Sequence, residues 1–165
     1  MSDASVSTTN KAPNDIVMRN HIAQREVDFT KLNKTNPGVR ILVVDNDEAI
    51  RNLHESIFIL QGYRVETTAN GADALDRLTA GGFDLLVTDQ NLPGLNGEQL
   101  VVALREAGIR IPVVVISGSL AECPLSARMA MEVSAALPKP VRTTEALAAI
   151  ITALNSVPSH LRSAA

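Results

Sequence analysis

The chain has 165 residues, of which 45% are hydrophobic and 2% are aromatic, and its formal net charge is −3. This length suits one domain with a full core, and the composition is typical of a globular protein. Residues 39–155 carry 9 Lys and Arg against 14 Asp and Glu, so the acidic balance and the scarcity of aromatic rings argue against direct binding of DNA or RNA.

Cysteine usage and hydropathy limit the compartment. Cys123 is the single cysteine, so no disulfide can form within the chain, which is typical of a reducing cytosol. No stretch of the sequence approaches the roughly 18 apolar residues that span a bilayer. The first residues also lack the basic start and apolar run of a signal peptide. We therefore predict a soluble, cytoplasmic protein without membrane insertion.

The two ends of the chain differ in composition from its centre. Residues 1–15 are small, polar and without periodicity, which is typical of a disordered tail. Residues 16–32 carry scattered apolar positions that fit a short helix, and Asn36-Pro37-Gly38 marks a turn. We predict an N-terminal extension over 1–38, a compact domain over 39–156 and a C-terminal tail over 157–165.

Between these ends, short apolar runs of strand length alternate with segments of helical period. The predicted strands cover 39–44, 63–69, 83–88, 111–116 and 135–137. The predicted helices cover 49–61, 71–78, 97–107, 121–133 and 143–154. In the first helix an apolar stripe recurs at helical spacing and consists of Ile50, Leu53, Ile57 and Leu60. Five strand–helix pairs joined by right-handed crossovers form a (βα)5 α/β fold, a parallel sheet between layers of helices.

Polar residues follow four of the five predicted strands. Asp45-Asn46-Asp47 follows the first strand and Asp89 follows the third. Ser117 follows the fourth strand, and the fifth leads to Lys139. Ligands of an open parallel sheet bind at the carboxyl ends of its strands, where the strand order reverses. In a sheet of order 2-1-3-4-5, the carboxylates after the first and third strands are neighbours.

Crowded carboxylates raise one another's pKa, so this end of the sheet requires a compensating positive charge. Mg²⁺ fits a small site of oxygen ligands that keeps several waters, and Lys139 supplies a fixed charge. A carboxylate beside a cation and an ammonium group can attack phosphorus, because both positive charges stabilise the phosphoryl oxygens. The Ser117 hydroxyl is placed to donate a hydrogen bond to one of those oxygens.

Four motifs carry a family resemblance: ILVVDND, LLVTDQNLPGLNG, VVVISGS and ALPKPV. In this order, over about residues 40–156, they resemble the receiver domain of two-component response regulators. The resemblance implies a flavodoxin-like, doubly wound, five-stranded parallel sheet of order 2-1-3-4-5. It also implies a signalling protein rather than an enzyme, which receives a phosphoryl group from a histidine kinase or a phosphotransfer protein. A downstream protein would bind the face formed by the fourth helix, the fifth strand and the fifth helix, and homodimerisation is compatible with this scheme.

The resemblance also assigns roles at the strand ends. It implies that Asp89 is the phosphoacceptor and that Ser117 and Lys139 assist it, the lysine preceding a proline that is usually cis in the family. It further implies a Mg²⁺ site, whose ligands are Asp45, Asn46, Asp89 and the backbone carbonyl of Asn91.

The sequence departs from the family pattern at two positions. Asn46 stands where receivers usually have Asp or Glu, which removes one negative charge from the cation site and predicts weaker Mg²⁺ binding unless Asp47 joins the site. Ala136 stands where many receivers have Tyr or Phe, which predicts a signal passed without an aromatic switch.

Other readings of these residues remain open. A degenerate receiver would bind partners without being phosphorylated. A haloacid-dehalogenase-type phosphatase would use Asp45 as nucleophile and Asp47 as general acid, but it leaves Asp89 unexplained. A nucleotide-binding flavodoxin-like protein requires a glycine-rich loop after the first strand, which this sequence lacks. Asp47 also suits the N-terminus of the first helix, and His54 fits the flank of that helix.

Overall fold

The computed structural model describes residues 38–119 and 132–156. The described strands are β1 (Arg40–Val44), β2 (Arg64–Thr68), β3 (Leu85–Thr88), β4 (Val113–Ser117) and β5 (Ala135–Pro138). The described helices are α1 (Glu48–Leu60), α2 (Gly71–Thr79), α3 (Gly97–Glu106) and α4 (Thr143–Ser156). The predicted helix over 121–133 lies almost wholly outside these residues, as do the extension before Gly38 and the tail over 157–165. The predicted fifth helix corresponds to α4.

The five strands form one parallel sheet of order β2-β1-β3-β4-β5, which confirms the predicted fold. At its carboxyl edge Val44 is paired with Thr68 on one side and with Thr88 on the other. Ser117 is paired with Pro138 at the same edge. The residues that follow β1 and β3 therefore begin side by side, and β2 lies at one border of the sheet.

The core is divided by the sheet into two layers, as expected of a doubly wound fold. Leu42 and Val44 of β1 pack in the layer that α2 and α3 cover, whereas Ile41 and Val43 pack in the layer that α1 and α4 cover. All four of these side chains are buried. This alternation across one strand is the period-2 geometry of a strand that is buried on both faces. It leaves only the strand ends for polar chemistry.

The buried face of α1 differs from the predicted one. Leu53 is 52% exposed and Leu60 is 82% exposed, so half of the predicted apolar stripe faces outward. The buried side chains are instead His54 and Phe58, whose rings are stacked with centroids 5.6 Å apart. Burial is the main cause that lowers the pKa of His54 below 6.5. His54 therefore has a structural position in the core and not a solvent-facing position on the flank of the helix.

Asparagine and aspartate side chains begin three of the helices. The Asp47 carboxylate accepts hydrogen bonds from the first turn of α1, and the Asn70 amide oxygen does the same for α2. At α3, Asn96 and Gln99 form a reciprocal capping box. Such caps satisfy backbone N–H groups that have no partner within the helix and contribute about 1 kcal/mol each. All three helices start directly above the carboxyl edge of the sheet, so the caps also hold the loops of that edge.

Within the residues that the structure describes, no helix has the length and apolarity required to cross a bilayer.

Candidate functional site

Asp45 follows β1 and is 3% exposed. Its backbone N–H donates to the Thr68 carbonyl at the end of β2 (3.2 Å), and its Oδ1 accepts a hydrogen bond from the Asp47 N–H (3.0 Å). The Arg51 guanidinium, one turn into α1, donates to the Asp45 carbonyl (2.8 Å). These contacts hold the residue from both sides, so its carboxylate has a defined direction at the edge of the sheet.

Asp89 follows β3 and is 6% exposed. Its backbone N–H continues the sheet by donating to the Val44 carbonyl (2.9 Å). Its Oδ1 accepts hydrogen bonds from the backbone N–H groups of Gln90 and Asn91. The chain thus turns around the carboxylate immediately after the strand. This turn leaves Oδ2 directed towards Lys139.

Lys139 connects the two acids. Its backbone N–H donates to the Ser117 carbonyl (3.0 Å), and its peptide bond to Pro140 is cis. Its Nζ lies 2.7 Å from Asp45 Oδ2 and 2.6 Å from Asp89 Oδ2. One ammonium group therefore bridges carboxylates that lie 94 and 50 positions away along the chain. The structure brings together the three charged residues that the sequence places after its predicted strands.

The bridge sets the protonation of the site. Burial by itself raises the pKa of Asp89, but the hydrogen bonds from Lys139, Ser117 and the Asn91 backbone outweigh it, so this pKa lies below 3.8. Burial lowers the pKa of Lys139, but the hydrogen bonds to Asp45 and Asp89 outweigh it, so this pKa lies above 10.5. Both groups are charged at neutral pH, and Asp89 is held as an anion in a buried position.

A chain of hydroxyl and amide groups borders the bridge. Ser117 is fully buried, and its Oγ lies 3.4 Å from the Oγ of Ser119. Ser119 in turn accepts a hydrogen bond from the Asn91 side chain (3.0 Å). The loops after β3 and β4 are thereby linked beside the Asp89 carboxylate. The predicted residues Ser117 and Asn91 both lie at this border.

The β1–α1 loop carries one predicted Mg²⁺ ligand, Asn46, and one alternative ligand, Asp47, and both residues are exposed. Asn46 is exposed and follows Asp45 directly. The carboxylate of Asp47 accepts hydrogen bonds from the N–H groups of Ala49 (2.9 Å) and Ile50 (3.2 Å). The capping role predicted for Asp47 is therefore confirmed.

The donor set fits a hard cation. Asp45, Asp89, the Asn46 amide and the Asn91 carbonyl supply oxygen only, which is the ligand type that Mg²⁺ prefers. Within 38–119 and 132–156, no three His, Cys, Asp or Glu side chains are grouped as a metal site.

Sequence reasoning missed three residues that shape the site. Ser119 was signalled by the second serine of Ile-Ser-Gly-Ser, two positions after a strand end. Arg51 had no local signal, because its contact with the Asp45 carbonyl depends on the direction in which α1 leaves the sheet. Thr68 had no role assigned from the sequence, yet its carbonyl at the end of β2 accepts a hydrogen bond from the Asp45 backbone N–H.

Comparison with known proteins gives one consistent family. The model of the response regulator receiver domain matches residues 41–151. The response regulator MprA of Mycobacterium bovis (strain BCG / Pasteur 1173P2) is 34% identical over 111 residues, which are 67% of this chain and 48% of that protein. The regulator of RpoS of Escherichia coli (strain K12) is 35% identical over 107 residues, 64% of this chain and 31% of that protein. The chain thus matches about half the length, or less, of these relatives.

A solved structure supports the same assignment. The response regulator receiver domain protein (CheY-like) from Methanospirillum hungatei JF-1 is 27% identical, with a TM-score of 0.63. The similarity covers 72% of this chain and 94% of that one. The structural similarity and the family model therefore agree on the family, and the matched range 41–151 contains every residue of the bridged site.

Proposed function

The chain belongs to the response regulator receiver family of two-component signalling, and we propose that it accepts a phosphoryl group on Asp89 from a histidine kinase or a phosphotransfer protein. The observation that carries this proposal is the bridge of Lys139 between Asp45 and Asp89. Receiver domains are in general signalling domains rather than catalysts, so phosphorylation serves to switch partner binding.

The geometry supports Asp89 as the nucleophile. Its lowered pKa keeps the carboxylate ionised at neutral pH, and a carboxylate anion can form a bond to phosphorus while the phosphorus–nitrogen bond of a phosphohistidine breaks. The histidine leaves with the electron pair of that bond and takes a proton from water. Hydrolysis of the resulting acyl phosphate returns the carboxylate and releases inorganic phosphate.

Lys139 and Ser117 assist the transfer. The ammonium group is within hydrogen-bond distance of the Asp89 carboxylate before transfer, and it can follow the negative charge to a phosphoryl oxygen. The hydroxyl of Ser117 is buried at the adjacent strand end and can donate to a second oxygen. Ser117 ends β4 and Lys139 directly follows β5, so both groups are adjacent at the carboxyl edge of the sheet.

We propose that Asp45, Asn46, Asp89 and the Asn91 carbonyl hold Mg²⁺. When bound, the cation adds positive charge beside the phosphoryl oxygens. Lys139 contacts both carboxylates, so its single positive charge offsets part of their combined negative charge.

Asn46 weakens this cation site in our proposal. An amide oxygen supplies a ligand without charge, and the affinity of such sites depends on the number of charged ligands. Asp47 is occupied with capping α1, so it does not replace the missing charge. We expect Asn46→Asp to tighten Mg²⁺ binding about tenfold, or about 1.4 kcal/mol, in a calorimetric Mg²⁺ titration. Unchanged affinity would contradict the assignment of Asn46 as a ligand.

The output face is proposed from β5 and α4 together with the predicted helix over 121–133, which the structure does not describe. Ala136 on β5 has no rotamer to switch, so we propose that loop and helix shifts pass the signal. A comparison of free and beryllofluoride-bound spectra would contradict this if the signals of residues 117–134 did not move. We further propose a cytoplasmic protein that acts through protein partners, with no direct binding of nucleic acid.

Labelling with acetyl phosphate and Mg²⁺ tests the function. We expect wild type to become phosphorylated on Asp89 and Asp89→Asn to remain unlabelled, as read by intact mass and peptide mapping. Asp84→Asn is the matched control, because Asp84 precedes the same strand at the opposite edge, where its carboxylate accepts a hydrogen bond from the Arg40 N–H (2.8 Å). This variant should be labelled like wild type.

Two outcomes would replace the proposal. Label on Asp45 would favour the haloacid-dehalogenase-type phosphatase. Absence of label, both with acetyl phosphate and with candidate kinases, would favour the degenerate receiver that binds partners without being phosphorylated.

A further inference from the structure

We propose that Gly71, the first residue of α2, is a positioning residue for the loop that carries the phosphoacceptor. This loop, residues 89–97, is called the acceptor loop below. The inference rests on the proposed function of Asp89 and extends it to the end of β2. The sequence analysis assigned no catalytic or metal-binding residue to that strand end. Its physical basis is a set of backbone contacts between the first turn of α2 and the acceptor loop.

The first contact is a hydrogen bond from the Gly71 N–H to the Pro93 carbonyl (3.0 Å). The first N–H groups of a helix have no partner within the helix, so this donor is free for the loop. The Asn70 amide oxygen caps α2 by accepting from the Ala72 N–H (2.8 Å). The same oxygen would lie 2.6 Å from a Cβ at Gly94. The start of α2 therefore touches both residues of the Pro93-Gly94 turn.

The second observation is the lack of space at Gly71. A Cβ added there would lie 1.9 Å from the Leu95 carbonyl oxygen and 2.8 Å from the Leu95 carbonyl carbon. Both are backbone atoms, so no side-chain rotation can relieve the clash. Any other residue at position 71 would force the acceptor loop and α2 apart by about 1 Å, given the tight packing of protein interiors. Glycine is required here for close approach.

The segment 68–71 also holds the other wall of the site. The Thr68 carbonyl accepts the Asp45 N–H (3.2 Å), and the Thr68 hydroxyl accepts the Asn70 N–H (3.3 Å). One short piece of chain thus contacts the backbone of Asp45 on one side and the acceptor loop on the other. The end of β2 sets the spacing between the two walls without adding a side chain to the site.

A displaced acceptor loop changes the chemistry at Asp89. The Asn91 N–H donates to the Asp89 carboxylate (3.2 Å), and the Asn91 side chain links the loop to Ser119. Movement of the loop by about 1 Å misplaces these groups, and a shift of that size can lower a reaction rate about 100-fold.

The experiment compares Gly71→Ala with a matched control, Gly108→Ala. Gly108 has a φ of +78°, and a Cβ there would meet nothing within 4 Å. Alanine at 108 therefore lowers stability through backbone strain alone, without contact with the site. We expect Gly71→Ala to be labelled by acetyl phosphate and Mg²⁺ about 10- to 100-fold more slowly than wild type. Gly108→Ala should keep the wild-type rate despite its lower melting temperature.

A spectroscopic readout separates positioning from general damage. In ¹H–¹⁵N spectra, Gly71→Ala should shift the amide signals of the acceptor loop, whereas Gly108→Ala should leave them unchanged. Labelling at the wild-type rate together with unshifted loop signals would overturn the inference.

Hydrogen exchange of the wild-type protein provides a test that needs no variant. The Gly71 amide should be protected, because the Pro93 carbonyl accepts its hydrogen bond, although the first amides of a helix are ordinarily open. Exchange of the Gly71 amide at the rate of an unprotected amide would overturn the inference. Because this measurement uses wild type, it decides the question even if Gly71→Ala does not fold. If wild type is not labelled at all, the proposed function fails, while the exchange and the amide shifts still decide whether Gly71 positions the loop.

Discussion

Two clusters of opposite charges in this protein have similar distances and different surroundings. At the carboxyl edge, Lys139 lies 2.7 Å from Asp45 and 2.6 Å from Asp89, and the two acidic side chains are 4% and 8% exposed. At the β2 border, Arg40 lies 2.6 Å from Glu66, whose side chain is 44% exposed. Distance does not separate the two clusters, but burial does.

The comparison shows which charges affect stability and chemistry. Exposed pairs are screened by water and salt and contribute about 0–1 kcal/mol. Buried charges lose their hydration, so removal of one partner leaves a cost that the others cannot offset. The exposed cluster, which also contains an Arg77–Asp73 pair (3.0 Å), forms a solvated surface. The buried cluster holds two carboxylates against one ammonium group at the carboxyl edge of the sheet.

The largest effect is expected from Lys139→Met. This change leaves two buried carboxylates without their ammonium partner, and we expect the free energy of unfolding to fall by about 3 kcal/mol at neutral pH. The loss should shrink in acid, where the carboxylates become protonated. Urea denaturation measures both values, with Arg77→Met as the exposed control. Equal losses in the two variants would break the distinction between the clusters.

A smaller effect is expected for the acid dependence of stability. The pKa of Asp89 is lowered in the folded protein, so its contribution is present above the unfolded value of about 3.8 and is lost as the pH falls through the folded pKa. We expect Asp89→Asn to lower the slope of the free energy of unfolding against pH by up to about 1.4 kcal/mol per pH unit, between the folded and the unfolded pKa of Asp89. Urea denaturation between about pH 5 and about pH 2 compares the slopes. Identical slopes would show that Asp89 carries no such coupling.

The alkaline limit of the same bridge has the opposite sign. The pKa of Lys139 is raised above 10.5, so its contribution is present below that value and is lost only as the pH rises through the folded pKa. The bridge is therefore intact throughout the neutral range.

The smallest effect is expected at the exposed cluster. Glu66→Gln removes the charge that faces Arg40, and we expect the free energy of unfolding to change by no more than about 0.5 kcal/mol. Any loss should diminish at high salt, since an exposed pair is screened. Urea denaturation at low and high salt tests this. A salt-independent loss above about 2 kcal/mol would place this cluster with the buried one.

The sequence predicted the fold well because apolar residues recur with different periods in strands and in helices. The four residues after Pro112 are all apolar, and together with Ser117 they form the fully buried interior strand β4. The three charged residues of the site were predicted because each one follows an apolar run directly or closely: Asp45, Asp89 and Lys139. In a parallel sheet, all strand ends of the same kind lie along one edge.

Helix α1 shows where this reasoning failed. Its sequence contains two overlapping apolar stripes, and the predicted stripe included Leu53 and Leu60, which are exposed. The stripe that faces the core contains Phe58, with His54 stacked on it. Periodicity gives the spacing of a stripe, but the rotation of the helix depends on which side chains fill the space above the sheet.

The amino-acid order by itself determined the alternation of elements and the set of residues at the carboxyl edge, because both follow from local period and position. Only the tertiary structure decided that one ammonium group bridges two acids and that Gly71 contacts the acceptor loop. These contacts join segments that are distant along the chain, and they form only when the sheet and its helices pack at close range.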